Sequence, residues 1–291
     1  MITKDKVTEI FCIIDEFCKH LHVELAKNLQ LPSHDGKGKL CRNRKGRLSD
    51  SEIMTILLCY HFGTYRNFKE YYLNCIHGQL MPRVFFHLMA FMKIYAFGRF
   101  SGISFVDSTM IPVCHNVRRY FNKVFAGLAR SGKGTMGWCH GFKLHLLCND
   151  TGEIITFCLT PANVDDRDKR VWSVFTKVLY GKVFADRGYI KQELFGHLFD
   201  KGIHLVHGLK ARMKNKLMPM WDRIMLRKRY IIECINELLK NNANLVHSRH
   251  RSVHNFIMNL CSALAAYCFF ENKPEALPVH IEESRQLQLF A

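Results

Sequence analysis

The spacing of apolar residues changes near position 100 and divides the chain into two parts. Before this point apolar side chains recur at three- and four-residue steps, as at Ile10, Ile13, Ile14, Phe17 and Leu21. This spacing predicts amphipathic helices. After it, short apolar runs and alternating stretches predominate and predict strands. We therefore expect a helical N-terminal region followed by an α/β region.

Several helices are expected in the first part. One runs from about Thr3 to Asn28. A second begins behind Ser49, because Ser49 and Glu52 have the spacing of a capping box and an apolar run follows them. The stretch "RNFKEYYLN" predicts a third helix, and the apolar segment 79–99 is also expected to be helical.

The second part alternates between strands and helices. "GISFVD" predicts a strand, and residues 140–149 predict another with Lys143 and His145 on a solvated face. The turn "NDTG" joins this strand to "EIITFCLT" in a hairpin. The later elements are a helix in "DDRDKRVWSVFTKVL", a strand ending at Asp186, a helix in "QELFGHLFDKG", a strand in "IHLVH", and helices at about 226–241 and 253–270, the last capped by Ser252. This order indicates an α/β fold.

The net charge of the chain indicates what class of partner it binds. Lys and Arg number 42 against 25 Asp and Glu, which gives a net charge of +17. Such an excess favours a polyanion, with nucleic acid ahead of an anionic membrane surface. A glycine-containing segment before Ser49 is itself strongly basic and includes Arg42, Arg44 and Lys45. It suits phosphate contact, although a solvated linker has the same composition.

The remaining composition argues against other classes of protein. We see no apolar run of about 18 residues, as a membrane-spanning helix needs, and no secretory signal. The 12 cysteines contain no C-x-x-C pair and the 16 histidines lack metal-ligand spacing. We therefore expect reduced thiols, no structural zinc site, no membrane partner and a cytoplasmic location.

Two predicted strands end on a carboxylate. Asp107 follows the apolar run of "GISFV", and Asp186 follows Val183, Phe184 and Ala185. Sites gather at the C-terminal ends of strands in α/β sheets, so both acids are candidate metal ligands. The alternatives are a helix cap at Asp107 and a turn or a salt bridge at Asp186.

A third carboxylate could come from the late helix. Glu233 lies four residues after Arg229 and seven before Lys240, which places all three on one helix face. There Glu233 could hold a metal ion while the cations hold DNA phosphates. An exposed helix with i,i+4 charge pairs would show the same spacing. Arg249 and Arg251, just before the last helix, also suit a phosphate, or else a solvated capping loop.

Five stretches of the second part together resemble the DDE transposases of bacterial insertion sequences, and most closely the IS982 family. They are "GISFVDSTMIPVC", "GWCHGFKLHLLCNDTGEIITFCLTPANVDDR", "KVFADRGYI", "LRKRYIIECINELLKN" and "HSRHRSVHNFIMNL". The resemblance implies an RNase H-like catalytic domain whose acidic triad is Asp107, Asp186 and Glu233. Arg229, Glu233 and Lys240 match the Y-x2-R-x3-E-x6-K signature of related transposases, while Leu226 occupies the tyrosine position.

This resemblance implies metal-dependent DNA phosphoryl transfer at one site: cleavage at the ends of an insertion sequence and transfer of the freed 3′-OH into target DNA. The three acids would hold two Mg²⁺ ions, with Mn²⁺ as a substitute. Double-stranded DNA is the expected partner, and pairing of two ends implies a homo-oligomer. The expected DNA-binding residues are Arg229, Lys240, Arg249, Arg251, Lys143, Arg42, Arg44 and Lys45.

The expected domains are a helical DNA-binding region at 1–100, the catalytic domain at 101–274 and a tail at 275–291. Two alternatives to transposition stay open. One is an RNase H-like nuclease without strand transfer. The other is a DNA-binding relative that has lost catalysis, since the segment 79–100 is shorter than its counterpart in the family.

Overall fold

The computed structural model describes residues 3–28, 48–62, 68–75, 84–134, 137–208, 218–246 and 250–276. The helices are α1 (Lys4–Asn28), α2 (Asp50–Tyr60), α3 (Phe68–Cys75), α4 (Phe85–Phe91), α5 (Lys169–Phe175), α6 (Gln192–Phe199), α7 (Met220–Lys228), α8 (Tyr230–Asn241) and α9 (Val253–Cys268). The strands are β1 (Ile103–Cys114), β2 (Arg130–Gly134), β3 (Gly137–Asn149), β4 (Ile154–Pro161), β5 (Gly181–Ala185) and β6 (Ile203–His207). None of the helices in these ranges combines the length and the apolar character that crossing a bilayer requires.

The strands of the described residues form one mixed sheet in which β1 is central. β1 pairs antiparallel with β3 and parallel with β5, and β5 pairs parallel with β6. The outer edge of β3 pairs antiparallel with β2 along one part and with β4 along another. The expected fold class, an RNase H-like α/β domain behind a helical N-terminal region, is confirmed.

Both faces of the sheet are buried. One face packs in a large core that includes Phe105 of β1, Phe184 of β5 and Ile235 of α8. The opposite face packs in a small core with α5 and α6, which includes Val106 of β1 and Trp172 of α5. Because alternate residues of a strand point to opposite faces, this assigns every odd-numbered residue around Phe105 to the large-core side.

The N-terminal helices pack on the large core as well. Ile10 and Ile14 of α1, Met54 of α2 and Leu88 of α4 are fully buried in it. α2 and α4 both contact α9. The helical region and the sheet thus share one hydrophobic core. The division into 1–100, 101–274 and 275–291 remains a proposal, and nearly all of the tail lies outside the described residues.

Local signals in the sequence are confirmed at several element ends. The Ser49 side chain accepts a hydrogen bond from the Glu52 backbone, and the Glu52 carboxylate accepts one from the Ser49 backbone, which forms the capping box. Ser252 caps α9 by accepting from the Asn255 backbone. Gly152 adopts φ +73° in the β3–β4 turn, and an added Cβ there would lie 2.2 Å from the Pro274 carbonyl oxygen.

The late helix expected at 226–241 is confirmed over Tyr230–Asn241, but its first residues belong to a separate helix. The structure has two helices, α7 and α8, which are separated at Arg229. α7 contacts β5 and β6, whereas α8 contacts β1 and β3. The chain breaks at Arg229 because the two helices pack on different pairs of strands.

The solvated face expected on β3 is also wrong. The side chain of His145 is fully buried and that of Lys143 is only 12% exposed. Both lie against the segment that follows β4, where Asp166 contacts them. A central strand is covered on both faces, so its polar residues here are paired internally and do not face water.

Candidate active site

Asp107 lies inside β1 and not at its end, which corrects the expectation from the sequence. The strand continues to Cys114, and Ile111 and Val113 are buried on the same face as Phe105. The alternation of apolar residues therefore passes through the acid. Asp107 replaces one apolar position on the large-core side, where its carboxylate is partly buried.

Asp186 follows the last residue of β5 directly, as expected. The parallel pairing of β1 and β5 ends at the pair Phe105 and Phe184, and Asp107 and Asp186 each lie two residues further along their strands. Adjacent strands are about 4.8 Å apart, so this register brings the two acids to neighbouring positions. Asp186 is exposed and accepts a 2.7 Å hydrogen bond from the Arg187 backbone at the start of a short 3₁₀ turn.

Glu233 lies in the first turn of α8, on the helix that packs against β1. Its side chain is 54% exposed, and Oε1 accepts a 2.6 Å hydrogen bond from Nη2 of Arg229. Arg229 therefore neutralises Glu233 in the DNA-free chain. This is the i,i+4 charge pair that the sequence left open as an alternative.

Asn236 links α8 to Asp107, and this contact was not predicted from the sequence. Its Nδ2 donates a 3.1 Å hydrogen bond to Oδ2 of Asp107. The side chain is buried, and within the described ranges its Oδ1 has no hydrogen-bond partner. Asn236 follows Glu233 by one helical turn, so the two side chains share one face of α8. This spacing was the available signal for Asn236.

Burial raises the pKa of Asp107 to about 6. The Ser108 backbone and the Arg229 guanidinium act in the opposite direction, while the carboxylates of Glu233 and Asp166 raise the pKa further. These effects require that the three carboxyl groups lie near one another. Desolvation is therefore the main reason that the pKa of Asp107 lies above its ordinary value.

Lys240 approaches the same carboxylate from the far end of α8. Burial lowers the pKa of Lys240, and Asp107 opposes this shift by stabilising the ammonium. The side chain is partly buried. Lys240 therefore lies close enough to Asp107 for the two charges to attract each other. An anionic ligand bound at the site would be attracted in the same way.

A second polar cluster lies on the small-core side of β1, and its central acid was not identified from the sequence. Oδ1 of Asp166 accepts hydrogen bonds from Ser108 Oγ at 2.8 Å and from Lys143 Nζ at 3.1 Å. His145 Nδ1 lies 3.6 Å from the same oxygen, and burial lowers the pKa of His145. The run "DDRD", which begins four residues after the end of β4, was the available signal for Asp166.

The turn after Asp186 leads back towards these acids. Tyr189 is buried in the small core. Its pKa is raised well above the ordinary value by burial, and further by Asp166 and Asp107. The end of β5 therefore lies close to both carboxylates, in agreement with the strand register.

The three predicted acids do not form a closed ligand cluster in this state. Among the described residues, Asp107, Asp186 and Glu233 are not a group whose ligand oxygens all lie within 4.8 Å of one another. Glu233 is held by Arg229 and Asp186 by its own turn. Tighter convergence would require these two side chains to rotate.

The other predicted DNA contacts fall into two groups. Arg251 is exposed just before α9, whereas Lys143 donates to the Val164 carbonyl oxygen and to Asp166. Lys143 as a phosphate contact stays a prediction, and its position favours a role in holding Asp166. The remaining predicted contacts lie outside the described residues: Arg42, Arg44, Lys45 and Arg249.

Comparison with known proteins identifies the family. Residues 97–253, just over half of the chain, match the family model described as "Transposase DDE domain". The chain belongs to the DDE transposases. No curated protein matches it. The matched residues of this transposase include Asp107, Asp186 and Glu233, and membership of the IS982 family in particular stays a prediction.

DDE transposases act on DNA and use divalent metal ions, and the residues of this transposase suit such an ion. Asp107 is a partly buried acid whose pKa is raised by burial and by two neighbouring carboxylates. The buried Oδ1 of Asn236 is a further oxygen without a hydrogen-bond partner in the described ranges. Carboxylate and amide oxygens are hard donors of the kind that Mg²⁺ prefers.

We expect the Asn236→Ala variant to lose about 10–100-fold in metal-dependent DNA cleavage, because the hydrogen bond that orients Asp107 is removed. DNA affinity should be unchanged, since Asn236 is buried. Cleavage rates as a function of Mg²⁺ concentration would measure the effect. Asn241→Ala, at the exposed end of α8, is the matched control, and equal rates for both variants would contradict the role of Asn236.

Proposed function

We propose that this DDE transposase cleaves DNA at the ends of an insertion sequence and joins the freed 3′-OH to target DNA. The observation that supports the proposal is the register of β1 and β5, in which Asp107 and Asp186 each lie two residues beyond the last paired residues, together with the contact between α8 and β1. A family match over the same residues supports it.

Asp107, Asp186 and Glu233 are the proposed ligands of two Mg²⁺ ions, for which Mn²⁺ could substitute. When bound, such ions supply activation of an attacking oxygen and stabilisation of the leaving 3′ oxygen. Asp107 contributes from the middle of a paired strand, whereas Asp186 lies just beyond β5 and Glu233 lies on α8. Asn236 orients its carboxylate by donating to Oδ2.

The proton on Asp107 is part of this proposal. With a pKa of about 6, Asp107 carries a proton in an appreciable fraction of metal-free molecules near neutral pH. Ligation requires the carboxylate form, so metal binding releases that proton. Metal affinity should therefore rise with pH through this range.

Arg229 is proposed to exchange partners when DNA binds. The Arg229 side chain is only 19% exposed, and its guanidinium pairs with Glu233. A DNA phosphate offers the same planar, two-oxygen recognition as a carboxylate. Transfer of Arg229 to a phosphate would leave Glu233 free to turn towards Asp107.

The proposed DNA surface extends from this site over cationic side chains. Besides Arg229 and Lys143, the predicted contacts among the described residues are the partly buried Lys240 and the exposed Arg251. The basic segment with Arg42, Arg44 and Lys45 would add to them. The 3₁₀ turn at Asn116–Phe121 is a further candidate, since Arg118 is exposed and Tyr120 and Phe121 are more than 80% exposed. Aromatic rings among basic residues suit unpaired bases near a cut.

The arrangement of Glu233 favours a second candidate function. Its pairing with Arg229, and the lack of a closed ligand cluster, are what a DNA-binding relative without cleavage would show. An RNase H-like nuclease without strand transfer would retain all three acids. Pairing of two DNA ends by a homo-oligomer distinguishes transposition from both.

One experiment separates these functions. The purified chain is incubated with Mg²⁺ or Mn²⁺, a plasmid that carries its own coding sequence with the flanking DNA on both sides, and a second target plasmid. Nicks at the element ends together with joined products would support transposition. Nicks without joining would indicate a nuclease, and salt-dependent binding without nicks would indicate a DNA-binding relative.

A further inference from the structure

Two histidines and one aspartate, from three different N-terminal helices, lie close together, and both histidines approach the same carboxylate oxygen. Nε2 of His22 on α1 lies 3.5 Å from Oδ2 of Asp50, the first residue of α2. Nε2 of His87 on α4 lies 3.6 Å from the same oxygen. The ligand atoms of all three residues lie within 4.8 Å of one another. This group lies on helices outside the proposed catalytic site.

These separations fit a metal ion better than direct hydrogen bonds. An N–H···O bond is usually 2.7–3.2 Å long, and both contacts exceed that range. Donors about 2.0–2.1 Å from a tetrahedral zinc ion are about 3.3–3.4 Å apart. The two histidine–carboxylate distances lie just above this edge length, and the two histidine donors lie within 4.8 Å of each other. Movement of the side chains towards one another would close the site.

The donor set and its exposure are those of a zinc site with one open position. Two imidazole nitrogens and one carboxylate oxygen are common zinc ligands, whereas Mg²⁺ prefers oxygen alone. Asp50 and His87 are mostly buried, at 21% and 16% exposed, while His22 is 54% exposed. The ion would therefore be anchored on the protein side and open to water on the other.

We propose that His22, Asp50 and His87 bind one Zn²⁺ ion that fastens α1, α2 and α4 together. The ligands come from helices whose apolar faces already share the large core. Zinc would fix the side of the bundle that lies outside that core. Metal bound only by the folded chain stabilises it by mass action.

The test uses the full chain after treatment with EDTA and dialysis into zinc. We expect one zinc ion per chain by mass spectrometry of the metal, and a rise in Tm of about 5–10 °C at saturating zinc. His22→Gln and His87→Gln should each weaken zinc binding at least about tenfold. His22 is exposed, so its variant should fold even if His87→Gln does not.

Two controls keep this test separate from the proposed catalytic metal site. His20→Gln alters an exposed histidine on the same helix, 4.0 Å from Glu16, and should bind zinc as the parent does. Asp107→Asn should also keep its zinc. Absence of zinc from the parent, or equal zinc affinity in the His22→Gln and His20→Gln variants, would overturn the site. Loss of zinc in the Asp107→Asn variant would assign the metal to the catalytic acids instead.

Discussion

The Asp107→Asn, Asp186→Asn and Glu233→Gln variants should each lose at least about 10³-fold of metal-dependent DNA cleavage. Each change removes one anionic ligand with little change in shape, and the transition-state stabilisation at stake is several kcal/mol. DNA affinity should stay within about threefold of the parent, because phosphate contacts and not these acids supply it. Cleavage of the donor plasmid and fluorescence anisotropy with labelled duplex measure the two quantities.

Matched controls are available among the exposed acids of the described residues. Glu237→Gln alters an exposed acid one turn beyond Glu233 on α8, and Asp200→Asn alters an exposed acid after α6. Both should cleave as the parent does. An Asp186→Asn protein that cleaves at the parental rate would remove Asp186 from the ligand set, while loss of cleavage in all five variants would point to a general effect of charge.

The Asp107→Asn variant should also be more stable than the parent at neutral pH when EDTA is present. The folded-state pKa of about 6 lies above the ordinary value of 3.8, so the folded chain binds this proton more tightly than the unfolded chain does. The resulting stability is complete below about pH 3.8 and is lost as the pH rises through 6. Asp107 should lower the free energy of unfolding by about 1–3 kcal/mol across that window.

Urea unfolding from pH 4 to pH 8 isolates this effect as the difference between the parent and Asp107→Asn. Arg229, Lys240, Glu233 and Asp166, the charged groups around Asp107, remain in both proteins. Saturating Mg²⁺ should flatten the parental curve, because ligation replaces the proton. Parallel curves for the two proteins in EDTA would show that Asp107 is not desolvated enough to matter.

Local signals in the sequence were sufficient for most of the fold. The capping box at Ser49, the glycine turn at Gly152 and the apolar run before Asp186 each depend on neighbours within a few residues, and the structure confirms them. The alternation of strands and helices along the chain predicted the α/β class, whereas the order of the strands in the sheet comes from the structure. The strand β2 was missed although its partner β3 is adjacent in the sequence, because its residues Arg130–Gly134 show no apolar alternation. The separation of α7 and α8 at Arg229 was missed because the two helices contact strands that are distant in the sequence.

The site itself was less predictable for the same reason. Asp107 was identified as a candidate, but its strand was ended too early because an acid inside a buried strand contradicts the hydrophobic pattern. His145 alternates with apolar residues as a solvated residue would, and only the distant Asp166 and Thr160 show it to be paired and buried. In the sequence Asn236 is an ordinary polar helix residue. Its hydrogen bond to Asp107 depends on the packing of α8 against β1.

The proposed zinc site could not be found from motifs in the sequence. Its ligands are His22, Asp50 and His87. Zinc-binding patterns are recognised by short spacings along the chain, and these residues lie on three separate helices. The spacing argument against a structural zinc site applied only to ligands that are close in sequence. It had no bearing on a site formed by helix packing.

The single core shared by the N-terminal helices and the sheet has a consequence for where DNA would be cut. Ile10, Ile14 and Leu88 are buried in the same cluster as Phe105, two residues from Asp107. A DNA end bound by the N-terminal region would therefore lie at a fixed distance from the three acids, because both parts of the chain belong to one packed core. The number of base pairs between this binding position and the cut would then be set by the fold and would not vary from one event to the next.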